Sequence, residues 1–292
     1  PFTIQSTSCT DPRYFICSGS IHIGNNTTQY QFQDEDGDTL TFGLSGADAN
    51  DFANTQNGSY LIKEFADFET KSQYNINLVL SDGDLVTEAP LVLAVVNENE
   101  IPEILTESFL IDENEIQVGV VQASDPEGDS LRYSIGTPRV DEGPDGGLFD
   151  IGEFTGNLTF KNPPDYETKS SYVLRVFVQD TEGLFSEAQD ITVTLNNLND
   201  NAPVLTGVCN KTTWAIQENE TNLCNPLTGE DADGDAFTFS ISGDALEITQ
   251  SNQFRFKVAP DYESGVIQHL ADLTVSDGEL STIYNMVINV ID

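Results

Sequence analysis

Three short acidic strings recur along this chain: DEDGD at 34–38, DPEGD at 125–129 and DADGD at 231–235, all of the form Asp-x-acid-Gly-Asp. Downstream of each stands an Asp-aromatic-Glu triplet: Asp67-Phe68-Glu69, Asp165-Tyr166-Glu167 and Asp261-Tyr262-Glu263. A run of strand character then ends in Asp82, Asp180 or Asp277. Between the second and third series the string LNNLNDNAPVL, residues 195–205, crowds Asn and Asp against a proline. Carboxylates, Asn amides and main-chain carbonyls are hard oxygen donors, a set that suits calcium better than zinc or copper. Taken alone, each string is ordinary turn chemistry, since Asp and Asn bond their own backbone and Gly and Pro interrupt strands. Repetition in a fixed order is what singles them out.

Composition points the same way. Lys and Arg total 11 against 49 Asp and Glu, a net charge of −38. Such a surplus repels itself unless it is dispersed, screened or neutralised by bound cations, and it excludes nucleic acid as a partner. A hydrophobic fraction of 38% excludes a disordered acidic tail. An EF-hand is excluded as well: the Gly of each acidic string falls fourth instead of sixth, and the twelfth positions are Ser45, Gly136 and Ser242. No nucleophile stands with a plausible His and acid, and no phosphate loop or zinc-helix motif is present, so the chain does not read as an enzyme.

The four cysteines, Cys9, Cys17, Cys209 and Cys224, lack zinc-site spacing and read as two disulfides. Of the three connectivities, the local pairs Cys9 with Cys17 and Cys209 with Cys224 fit best if each lies in its own domain. Disulfides imply an oxidising, extracytoplasmic compartment. The opening PFTIQST has no signal-peptide character and no stretch reaches the length of a membrane span, as expected for a piece of a mature ectodomain. Glycosylation sequons begin at Asn25, Asn26, Asn57, Asn157, Asn210 and Asn219.

The elements that must position the acidic groups follow from hydrophobic periodicity. Pro1, Pro102 and Pro203 are evenly spaced and divide the chain into units 1–101, 102–202 and 203–292. Within each unit apolar residues alternate, as in Tyr172, Leu174, Val176 and Val178, with Gly, Asn, Asp and Pro at the joints and no helical period. The expectation is an all-β protein of three tandem Greek-key, immunoglobulin-like β-sandwiches, elongated, each with its own core.

These landmarks, in this order in all three units, resemble tandem cadherin repeats. In that family the linker between two repeats and the repeat ends facing it hold calcium. Carried over by position, the resemblance implies a site between units two and three from Glu113, Asp165, Glu167, Asn197, Leu198, Asn199, Asp200, Asn201, Asp231, Asp233 and Asp277. Leu198 and Asn201 would offer main-chain carbonyls, and Asn197 replaces the family's Asp, removing one charge. Between units one and two the match is weaker. Asp67, Glu69, Asn99, Glu100, Asp125, Glu127 and Asp180 remain, Ile101 stands where the family has Asn, and counting back in unit one reaches His22 in place of a glutamate. Fewer ions and a looser joint are expected there. Asp34, Asp36 and Asp82 would need an upstream linker, and Glu218, Asp261, Glu263 and Asp292 a downstream one, as in an excerpt from a longer array.

Functionally the resemblance implies a calcium-stiffened extracellular adhesion rod, with calcium (Ca2+) as its cofactor and another cell-surface adhesion protein, a like copy included, as partner. Two competing readings stay open: a polysaccharide-binding module array and a passive extender within a large bacterial-type surface adhesin. Trp214, four residues before Glu218 as Phe109 is before Glu113, is expected to be a core aromatic, and His269, at the strand position of Tyr74 and Tyr172, to pack.

Overall fold

The computed structural model describes residues 39–54, 60–63, 66–137 and 140–292, together with four short strands, Gln5–Thr7, Ile16–Cys17, Ser20–Ile21 and Gln29–Gln31. The expected ligands Asp34 and Asp36, the position of His22 where a glutamate is missing, and the expected Cys9–Cys17 pair lie outside the residues whose side chains are described. The chain is all-β and its contacts divide it into two units. One comprises Pro1–Pro102 with Asp125–Asp129 and Asp180–Leu184; the other holds the remainder.

In the first unit, β1 (Thr41–Ser45), β2 (Gln73–Ser81) and β3 (Val86–Ala94) form an antiparallel sheet in the order β1-β2-β3. On β2 the alternating Tyr74, Ile76, Leu78 and Leu80 are buried, as the two-residue period of a strand requires. They join Phe52, Tyr60 and Leu93 in one core. The β2–β3 turn opens on Asp82, whose Oδ1 accepts the N–H groups of Asp84 (2.8 Å) and Leu85 (2.7 Å). Gly83, at φ +105°, supplies the left-handed turn residue.

The second unit contains two cores. Around the first, β4 (Ser108–Asp112), β5 (Arg132–Ile135), β6 (Ser171–Gln179) and β7 (Gln189–Asn196) make a sheet in the order β4-β7-β6-β5. It faces a three-stranded sheet of Gln117–Val120, Asn157–Phe160 and Phe149–Ile151. Tyr172, Leu174 and Val176 of β6 pack there with Leu158, Ile191 and Val193. Around the other core, β8 (Thr213–Gln217), β9 (Thr238–Ile241), β10 (Gln268–Ser276) and β11 (Ser281–Ile291) repeat the pattern in the order β8-β11-β10-β9. Leu273, Val275, Ile288 and Phe254 fill its centre. Trp214, 5% exposed, meets Phe254 edge-on at 6.0 Å, and His269 packs edge-on against Phe256 at 4.9 Å. Cys209 and Cys224 are disulfide-bonded with Cα atoms 6.0 Å apart.

One feature of pairing fixes where the acidic groups go. β4 runs parallel to β7, and β8 parallel to β11, while the other neighbours in these two sheets are antiparallel. Parallel partners finish at the same end of the sheet. The residue after β4, Glu113, therefore lies beside the segment after β7, its N–H donating to Asn196 O at 3.2 Å. Glu218 is placed beside Asp292 in the same way, through Ile291 O at 2.9 Å.

Candidate metal centre

In the second unit Glu113, Glu167, Asp200 and Asp233 each present an oxygen, and these four oxygens lie within 4.8 Å of one another. Glu113 is 1% exposed. Its Oε1 accepts the N–H of Leu198 at 2.7 Å and its Oε2 that of Tyr166 at 2.8 Å, so one carboxylate ties the linker to the triplet. Asp165 folds the triplet locally, accepting the Glu167 N–H at 3.1 Å and the Thr168 hydroxyl at 2.8 Å. That leaves the Glu167 carboxylate to reach the linker. Asn201 donates its N–H to Asp233 Oδ2 (2.9 Å) and its amide to Asp233 Oδ1 (3.0 Å) and Glu167 Oε2 (3.2 Å). The Asn197 amide donates to the Asp233 carbonyl at 2.8 Å, and Leu198 O accepts from the Asp200 N–H at 3.0 Å. In the third acidic string Asp231 Oδ1 accepts the Asp235 N–H at 3.1 Å, and Asp277 Oδ1 accepts those of Glu279 (2.6 Å) and Leu280 (2.8 Å).

The first unit carries a smaller group. Oxygens of Glu69, Glu100 and Glu127 lie within 4.8 Å of one another. Asp180, 3% exposed, accepts the Asn99 amide at 2.7 Å and the N–H groups of Glu182, Gly183 and Leu184. Asp125 Oδ1 accepts the Glu127 and Asp129 N–H groups, both at 3.1 Å, and Asp67 accepts those of Glu69 and Thr70. A third group joins Glu218, Glu263 and Asp292. Asp261, which opens the Asp261-Tyr262-Glu263 triplet, accepts the Glu263 N–H at 3.0 Å, while Asp82 accepts the N–H groups of its own turn.

Crowding of like charges shows in the proton affinities. Burial, the charge of Glu113 and contacts with Asp165 and Asp233 push Glu167 up to about 7. Glu100 is pushed up to about 7 by its contact with Glu127, by burial and by the charges of Glu127, Glu69 and Asp67. Asp165 is held low, first by the Thr168 hydroxyl. Burial works against Asp233, yet the amide and N–H of Asn201 keep it low.

The ion pairs of the described residues do not relieve this crowding. Among the described residues, Lys71 pairs with Asp48 and Asp51, Lys169 with Asp145, Arg175 with Asp141 and Asp190, Arg132 with Glu153 and Arg255 with Glu247. All of those carboxylates lie outside the three groups. Among the described residues, five buried side-chain oxygens are also left with no hydrogen-bond donor: Asp125 Oδ2, Glu127 Oε1, Asn199 Oδ1, Asp231 Oδ2 and Asp277 Oδ2. A buried polar atom without a partner costs about 1–3 kcal/mol. Every one belongs to an acidic string, a linker or the Asp that follows a strand, and each has a free lone pair. This all-oxygen donor set with orphaned, buried atoms fits a hard divalent cation.

Sequence reasoning passed over Asn114. Its amide donates to Asp200 Oδ2 at 2.6 Å, and it sits at φ +65°, a conformation that Asn tolerates. The signal was present in Glu113-Asn114-Glu115 and Glu218-Asn219-Glu220, since Asn219 has φ +64°. Thr70 and Thr168, directly after their triplets, were also missed as partners of the triplet Asp.

No family model matches the chain. Human cadherin-23 is 30% identical over 207 residues, which is 67% of this chain and 6% of that protein, so the chain spans a small fraction of the relative it matches. Among solved structures, a protocadherin gammaB7 EC3-6 cis-dimer aligns with a TM-score of 0.63 and 17% identity over 99% of this chain and 75% of that one. Mouse cadherin-23 EC22-24 aligns over 100% of both chains with a TM-score of 0.56 and 17% identity. At such identity these two structures speak for the fold, and the fold agrees with the ordered acidic landmarks and the sequence relative: this chain is built of tandem cadherin repeats.

Proposed function

We propose that the chain is part of an extracellular, calcium-dependent adhesion protein, with repeats at 1–101, 102–202 and 203–292 and calcium held at the linkers between them. The observation that carries this reading is the set of five buried oxygens without donors, all on residues of the acidic strings, a linker and the post-strand Asp. In the second unit Glu113, Glu167, Asp200 and Asp233 would hold the ion, with Asn199, Asp231 and Asp277 supplying the orphaned oxygens. In the first unit Glu69, Glu100 and Glu127 would do so with Asp125. A bound divalent cation supplies the positive charge that these carboxylates otherwise lack.

The protein's own residues set what that charge accomplishes. Glu113 and Asn201 already fasten linker to repeat by hydrogen bonds, so an ion there would lock segments that are in register. The linkers would then stiffen an array that presents adhesive surfaces to another cell-surface adhesion protein, a like copy included. Calorimetric titration of the whole chain with calcium chloride tests the reading. Saturable binding that magnesium does not match is expected. A flat calcium titration would discard calcium from the mechanism.

A further inference from the structure

We propose that Asn210 and Asn219 carry N-linked oligosaccharides, and that the pair closes one sheet edge of the third core to strand pairing. The two residues bracket β8, the outermost strand in the order β8-β11-β10-β9. Asn210 lies three residues before Thr213 and Asn219 two residues after Gln217. Both begin sequons, Asn210-Lys211-Thr212 and Asn219-Glu220-Thr221, and both are exposed. Among the described residues neither side-chain amide is used: Asn210 and Asn219 take part through their backbone N–H groups, bonded to Gly207 O at 3.2 Å and Pro260 O at 2.9 Å. The contrast with Asn114 is informative. It has nearly the same φ and follows Glu113 as Asn219 follows Glu218, but its amide is spent on Asp200 and its sequence, Asn114-Glu115-Ile116, lacks the hydroxyl.

The edge has a reason to be covered. β8 reads TWAIQ, with no charge and no proline, and among the described residues it pairs with β11 alone. A bare edge of high strand propensity and low charge is a template for pairing with another chain. The corresponding edge strand β4 reads SFLID, carries the exposed Asp112 and directly follows the exposed Glu107, so that edge bears charge. Five residues of strand span about 17 Å, a length that an oligosaccharide at each end can overhang. Val208, 87% exposed two residues before Asn210, would be sheltered too. The third described sequon, at Asn157, opens the middle strand of its sheet and guards no edge.

In the transfer, the Asn Nδ2 forms a bond to the anomeric carbon of the oligosaccharide. The bond from that carbon to a polyprenyl pyrophosphate carrier breaks, the pyrophosphate departs with the electron pair, and one amide proton is lost to base. The proposal rests on the extracellular reading and is independent of calcium.

The test secretes the whole chain from cultured animal cells and removes glycans with peptide N-glycanase in 18O-water before peptide mass spectrometry. Labelled aspartate is expected at positions 210 and 219, and Thr212→Ala and Thr221→Ala should each lose the mass of one oligosaccharide. Sedimentation of the deglycosylated chain, kept in calcium, should shift toward a larger species relative to the intact glycoprotein. An unlabelled Asn at either position, or sedimentation unchanged by deglycosylation, would overturn the proposal. A calcium titration on the same material separates the two readings, because a glycosylated chain that takes no calcium loses the linker reading and keeps this one.

Discussion

Asp200 and Asn197 stand three residues apart in one linker, yet their surroundings give them different weights. Asp200 contributes an oxygen to the four-carboxylate group, whereas the Asn197 amide is spent on the Asp233 carbonyl. Asp200→Ala should therefore weaken calcium binding at that linker by about tenfold or more, a loss of about 1.4 kcal/mol. Asn197→Asp should leave affinity equal or higher, since it adds a carboxylate beside the group. Calorimetry on the whole chain compares them, and equal weakening by both would count against this ligand set. A second consequence concerns protons. Glu100 and Glu167 rise from an ordinary 4.5 to about 7 in the metal-free fold, so between those values the folded chain binds more protons than the unfolded one. Stability of the calcium-free chain should fall as pH rises from about 4.5 to about 7, and Glu167→Gln should flatten that slope in thermal melts. A melting temperature that climbs through the same window would contradict the assignment. At this scale much of the candidate site was legible, because Asp, Glu and Asn repeat in order. Asn114 was legible only as the recurring Glu-Asn-Glu of 113–115 and 218–220, because its contact with Asp200 depends on a left-handed backbone that makes no pattern in hydrophobicity.

Strand alternation carries most of the fold. Leu174 on β6 is 0% exposed, as the two-residue period through Tyr172, Val176 and Val178 requires. Replacing it with Ala should cost about 2–5 kcal/mol of stability in urea unfolding in the presence of calcium. A change below about 1 kcal/mol would mean that the site collapses around the loss or that the strand does not anchor its core. Pairing was less legible than alternation. Period two places Ile111 and Ile216 toward a core, but it does not say that β4 and β8 run parallel to β7 and β11. That direction brings Glu113 and Glu218 to the linker ends, and it comes from long-range packing that no local string encodes. The turns were readable for the opposite reason: Asp82-Gly83 and Asp277-Gly278 each need a left-handed Gly, at φ +105° and +110°, and the sequence displays it.

At the scale of the whole chain, a net charge of −38 sets a problem that dissolved salt and bound calcium solve differently. Monovalent salt near 0.15 M screens charges separated by more than about 8 Å. The carboxylate oxygens of each group lie within 4.8 Å of one another, inside that distance, so screening reaches them poorly. Two unit charges at about 4 Å repel by about 4 kcal/mol at an effective dielectric of 20. Sodium should thus quiet the dispersed surface charge while leaving the linkers under strain, and only an ion seated among the carboxylates should relieve them. Limited proteolysis separates the two effects. With chelator, a glutamate-specific protease should cut at Glu98 and Glu100, and an aspartate-specific protease at Asp200, several times faster than with calcium. Raising sodium chloride in chelator should leave those rates nearly unchanged, whereas restoring calcium should suppress them. Glu88, within β3 and hydrogen-bonded to Ser45 and Asn77, serves as an internal control whose cleavage should respond little to calcium. If sodium chloride protected the linkers as well as calcium does, repulsion across the surface would explain the behaviour and the seated ion would be unnecessary.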